Sequence, residues 1–160
     1  IPKPWYSVRH DAFTHYYALE YMKRTHPNLI FIAYGETDDF AHDGDYEAYL
    51  KSAHTTDSFI NELWNFVESD SFYKGNTTFI ITTDHGRGTI PLKTWTGHGK
   101  EIIGADEVWI IAFGNGVKPL GVIKSKEQLY SNQIAASIAK LLNIEVDKTK
   151  MGTKFEFIAD

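Results

Sequence analysis

The chain has 160 residues, of which 42% are hydrophobic, 14% aromatic and 23% charged; this is enough to bury a core in one domain and excludes a disordered tail. Sixteen basic residues against 21 acidic ones give a net charge of −5 with no basic stretch beside aromatics, the opposite of the field that non-specific nucleic-acid binding needs. The longest apolar runs, Leu29 to Tyr34 and Val108 to Phe113, fall far short of the roughly 20 residues that cross a bilayer, and with no cysteine a metal can be held only by nitrogen and oxygen donors.

The chain opens at Ile1 without an initiator Met or a signal pattern, which points to a processed protein or a piece of a longer one. Ala12, Tyr16, Leu19 and Met22 predict a helix over 11–24, stopped by Pro27. Leu29-Ile30-Phe31-Ile32-Ala33-Tyr34 reads as a buried strand, and Gly35 to Gly44 as a polar loop. Tyr46, Tyr49, Leu50, Ala53, Ile60, Leu63, Trp64 and Val67 form the stripe of a long helix with Asp45 as its N-cap. After the turn Lys74-Gly75-Asn76, the β-branched run Thr77 to Thr83 predicts a second strand.

A loop punctuated by Gly and Pro covers 84–106, and a third strand covers 108–113, ended by Gly114-Asn115-Gly116. An extended segment near 121–124 precedes a helix over 132–143 with Ile134, Ile138, Leu141 and Leu142 on its apolar face, and Gly152 to Ile158 reads as a short strand. Three apolar strands separated by helices or long crossovers predict an α/β fold with a mainly parallel sheet, in a single domain over 1–160.

In open α/β sheets, function collects in the loops that leave the carboxyl ends of the strands. After the first predicted strand comes Gly35-Glu36-Thr37-Asp38-Asp39-Phe40-Ala41-His42-Asp43; after the second comes Asp84-His85-Gly86-Arg87-Gly88, and further along that loop Gly97-His98-Gly99. Singly, an Asp four residues before a His is also a cap pattern, and Asp-His-Gly an ordinary turn. Together, carboxylates and imidazoles at one edge of a sheet suit zinc, manganese and related divalent ions, which take three or more protein ligands. Asp38 and His42 could chelate one ion from a single loop or helical turn with His98 arriving later, and Asp84 with His85 a second ion. Gly86, Gly97 and Gly99 leave room for the backbone to crowd the site.

These motifs, in this order over Pro27 to Ile158, resemble the alkaline phosphatase superfamily, which includes nucleotide pyrophosphatase/phosphodiesterases and cofactor-independent phosphoglycerate mutases. The resemblance implies a three-layer α/β/α fold and two divalent ions, zinc or manganese, with Asp38, His42 and His98 on one and Asp84 and His85 on the other. It implies phosphoric-ester hydrolysis or phosphotransfer on a small molecule or headgroup, and His98 favours phosphate over sulfate esters. An extracytoplasmic location is compatible with the family, although the composition does not identify the compartment.

Two departures stand out. Ala41 occupies the position before the first His where members usually carry Gly. The Ser or Thr nucleophile and a further metal-binding Asp lie in the family's amino-terminal half, and nothing in the 37 residues before Asp38 resembles them. The chain therefore resembles the carboxy-terminal part of such an enzyme, with the missing amino-terminal half as its partner, no catalytic nucleophile of its own, and no turnover expected in isolation. The alternative is a non-catalytic module of the same fold that keeps a structural metal.

The remaining candidates have ordinary readings. His10, His15, His26 and His54 read as surface or helix-end residues. Arg87 and Lys100 flank the donor loop and are either solvated or within reach of a phosphate oxygen. Glu36, Asp39, Asp43 and Asp45 read as helix caps or as supports for the ligands. Trp95 shares the loop of His98.

Overall fold

In the computed structural model, which describes residues 3–6, 8–124, 127–147 and 151–159, the elements run α1 (Asp11–Thr25), α2 (Glu36–His42), α3 (Tyr46–Ser69), β1 (Thr78–Thr82), a 3₁₀ turn (Leu92–Thr96), β2 (Ile110–Gly114) and α4 (Asn132–Leu141). Asp45 does cap α3: its carboxylate accepts the Ala48 N–H at 2.9 Å. The buried seam of α3 runs through Ser52, Phe59, Leu63 and Val67. Tyr46 and Leu50, expected on that seam, are exposed.

Helix α1 is likewise rotated from the sequence expectation. Asp11, His15, Leu19 and Met22 face inward, while Tyr16 faces out. The two polar residues are tolerated inside because each is hydrogen-bonded. His15, read from sequence as a surface residue, is fully buried. Its Nδ1 meets the Tyr34 hydroxyl at 3.0 Å and its Nε2 meets Glu62 at 3.1 Å, and its ring stacks on Phe59.

The apolar run 29–34 keeps the period of a strand without a sheet. Leu29, Phe31 and Ala33 are exposed, whereas Ile30, Ile32 and Tyr34 are partly covered. Phe31 is 89% and Leu29 57% exposed. No backbone hydrogen bond among the described residues joins this run to a neighbouring strand, so the buried strand expected here is an unpaired extended segment.

The stretch expected to be a polar loop is instead helix α2. Asp11 explains the difference: its carboxylate accepts the N–H groups of Gly35 at 2.7 Å and Glu36 at 3.2 Å, the donors a helix start leaves free. Acidic residues in the first turn, Glu36, Asp38 and Asp39, suit the positive end of the helix dipole. Helix α2 packs on α3, with Ala41 fully buried.

Strands β1 and β2 form a two-stranded sheet, with Phe79 and Phe113 stacked across it at 5.0 Å. This is the sheet among the described residues, smaller than the mainly parallel one expected, because 29–34 is unpaired. The expected strand over Gly152 to Ile158 reduces to one antiparallel bridge between Val117 and Ile158.

The chain divides into two compact units, Ile1–Lys74 with Thr82–Ile110, and Gly75–Ile81 with Ile111–Asp160. The first holds Leu19, Met22, Phe59, Leu63, Val67 and Tyr73 in its core, and the second Ala136, Ala139, Phe155, Phe157 and Ile158. In the second, α4 buries Ala136, Ser137 and Ala139. Ser137 Oγ accepts the Phe155 N–H at 2.9 Å, tying the C-terminal segment to the helix. No helix among the described residues is long and apolar enough to cross a membrane.

Candidate metal centre

All five donors singled out from the sequence lie in the first unit. Helix α2 carries Asp38 and His42 one turn apart, so both project from the same face. Asp84 and His85 follow β1, and His98 follows the 3₁₀ turn. Asp38, His85 and His98 each bring one donor atom into a group whose members are all within 4.8 Å of one another.

Asp38 is the hub. Its Oδ1 lies 3.5 Å from His85 Nε2 and 3.6 Å from His98 Nε2, and its Oδ2 lies 3.4 Å from His42 Nε2. His42 and His98 bring their Nε2 atoms within 3.0 Å. The rings of His85 and His98 stack at 3.6 Å and 8°. Asp84 stands apart from this group: its side chain is 91% exposed, its Oδ1 accepts the His85 N–H at 3.0 Å, and the same oxygen lies 3.6 Å from His85 Nε2.

The donor set fits a divalent cation. Asp38, His85 and His98 offer one carboxylate oxygen and two imidazole nitrogens, donors that suit such an ion, while His42 stands outside that group, 3.4 Å from Asp38 Oδ2 and 3.0 Å from His98 Nε2. His85 is oriented for the task, because its Nδ1 donates to the Gly86 carbonyl at 3.0 Å and leaves the Nε2 lone pair toward Asp38. Removal from water, and next the neighbouring His85, lower the His98 pKa and favour the neutral imidazole that ligates metal. Burial, and next Asp38, raise the Asp39 carboxyl above its ordinary value.

Backbone contacts hold the loops. Gly86 donates to the Ala105 carbonyl at 2.8 Å, and a Cβ at Gly86 would lie 2.1 Å from the Gly104 oxygen, so only glycine allows this approach. At Gly97 a Cβ would meet the tip of Ile102 at 2.9 Å, whereas Gly99 has only ordinary neighbours. Trp95 packs edge-on against Tyr46 and Tyr49 of α3.

The supporting acids divide by role. Glu36 pairs with His10 at 2.7 Å, Asp43 accepts the Trp5 indole N–H at 2.9 Å, and Lys100 is exposed. The sequence reading missed the support that Asp11 gives α2. Nothing local to Asp11 points to Gly35, 24 positions ahead.

The family model of the Metalloenzyme superfamily matches residues 10–146. Among curated proteins, the chain is similar to 2,3-bisphosphoglycerate-independent phosphoglycerate mutase from Campylobacter jejuni subsp. jejuni serotype O:2 (strain ATCC 700819 / NCTC 11168), 26% identical over 121 residues. The same protein from serotype O:23/36 (strain 81-176) is equally similar. The match covers 76% of this chain and 22% of the relative, so the chain spans about a fifth of the length of these proteins. No solved structure gives a significant match.

Proposed function

The chain belongs to the Metalloenzyme superfamily, and from that premise we propose that it is the metal-binding part of an enzyme acting on phosphoric esters, a hydrolase or phosphotransferase. Membership carries an alkaline phosphatase-like α/β fold. The three-layer arrangement with a mainly parallel sheet belongs to the proposal, as does a single domain over 1–160. One observation carries the functional reading: Asp38, His85 and His98, drawn from three separate segments, converge within 4.8 Å.

In this reading Asp38, His42, Asp84, His85 and His98 are the ligands, shared between two divalent ions, zinc or manganese, in the complete protein. Bound divalent ions supply positive charge that polarises a phosphoryl group and offsets the charge of its transition state. The chain's own residues hold and orient. Asp11 fixes the start of α2 and hence the direction of Asp38 and His42, and Gly86 sets the tautomer of His85. The nucleophile, a Ser or Thr, comes from the amino-terminal remainder, so these 160 residues bind metal without turning over substrate. The similarity to phosphoglycerate mutases supports a small phosphate ester as substrate.

Turnover tests the proposal. Protein extended by the amino-terminal remainder, supplied with Zn²⁺ or Mn²⁺, is assayed with 4-nitrophenyl phosphate, its bis-ester and 3-phosphoglycerate. Metal-dependent turnover of one of these, abolished by His98→Ala, is the expected result. Metal binding without turnover of any of them contradicts the enzyme and leaves the non-catalytic module.

A further inference from the structure

Arg87 follows the Asp84-His85-Gly86 turn, and its side chain is only 16% exposed. Nη2 donates to the main-chain carbonyl of Asp38 at 3.0 Å and also to Oδ1 of the same residue. Nη1 donates to the carbonyl of Thr96 at 3.3 Å, and Thr96 stands two positions before His98. One planar guanidinium thus touches α2 at Asp38 and the loop of His98, and its own backbone is two residues from His85.

We infer that Arg87 is a positioning residue, whose guanidinium sets the spacing of Asp38 and His98 so that their donor atoms converge on one cation; the inference rests on the metal-binding reading above. A guanidinium presents its donors in a rigid plane, so three acceptors from two segments fix their relative position more narrowly than a flexible ammonium can. Three of the five N–H donors of this guanidinium are engaged by protein oxygens.

Two effects of opposite sign meet at Asp38. The guanidinium orients the carboxylate and the His98 loop, which favours metal binding, while its charge repels an incoming cation. The orienting effect is the larger in this account, because both α2 at Asp38 and the loop of His98 depend on it. Supporting residues of this kind typically change metal affinity by about 10- to 100-fold when removed.

The test is a double-mutant cycle on Co²⁺ affinity, measured by chelator competition and by the visible absorption of bound Co²⁺. It compares wild type, Arg87→Met, His98→Ala and the double variant, each well below its own melting temperature. The expected result is about 10- to 100-fold weaker binding in Arg87→Met with a weakened visible band. The double variant should be little weaker than His98→Ala alone, because the two changes remove the same ligand geometry.

Arg87→Lys keeps the charge and loses the fork, so it should resemble Arg87→Met; it replaces that variant if Arg87→Met does not fold. Wild-type affinity in both Arg87 variants, tighter binding in either, or fully additive losses would overturn the inference while leaving the metal site in place. Equal Co²⁺ affinity in wild type and His98→Ala would instead overturn the metal-binding reading itself.

Discussion

The buried carboxylate of Asp11, 2% exposed, accepts the N–H of Gly35 at 2.7 Å and thereby joins the start of α1 to the start of the helix that carries Asp38 and His42. Burial is the largest influence on this carboxyl and holds it above its ordinary value of 3.8, against the pull of its two backbone donors. A carboxyl raised by folding favours the folded state most when protonated. Its contribution is therefore complete below about 3.8 and is lost as the pH rises through the raised value. Asp11→Asn removes this titration. Melting temperatures across pH 3 to 7 should show the variant least favourable relative to wild type at the acid end, with the difference moving in the variant's favour as pH rises. A constant difference would contradict the account.

His15 is the second buried polar group of α1. His15→Ala removes a ring stacked on Phe59 and leaves the Tyr34 hydroxyl without its partner, so urea unfolding should show a loss of about 2–4 kcal/mol. His15→Phe keeps the ring and should lose only about 1–3 kcal/mol, the cost of the unsatisfied hydroxyl.

These two residues mark where the sequence was legible. The extents of α1 and α3, the cap at Asp45 and the two paired strands follow from periodicity, capping and β-branched runs. The inward faces of α1 and α3 do not, because hydrophobicity alone assigns Asp11 and His15 to the surface. Their burial depends on Gly35, Tyr34 and Glu62, which lie 19 to 47 positions away. The same long-range contact converts the expected loop at 35–44 into α2. Type and spacing singled out five donor residues, of which the structure brings Asp38, His85 and His98 within 4.8 Å of one another; their role as ligands belongs to the proposal. The bonds of Arg87 to Asp38 and Thr96 had no local signal.

Glycine requirements separate two neighbouring positions. Gly86→Ala places a methyl 2.1 Å from the Gly104 oxygen and should destabilise by about 3 kcal/mol or more. Gly99→Ala meets Ile102 only at ordinary contact distances and should change stability by less than about 1 kcal/mol. Paired thermal melts check the contrast.

The run 29–34 should behave as an unpaired strand. Its amides, without sheet partners among the described residues, should exchange with deuterium far faster than those of α3. Phe31→Thr, at a position 89% exposed, should alter unfolding free energy by no more than about 0.5 kcal/mol.

Metal retention tests the central claim most directly. After equilibrium dialysis against Zn²⁺, the wild-type chain should retain a stoichiometric ion, and Asp38→Ala and His98→Ala should each bind at least about tenfold more weakly while remaining folded. Undiminished Zn²⁺ affinity in both variants, or no retention by the folded wild type, would contradict the account.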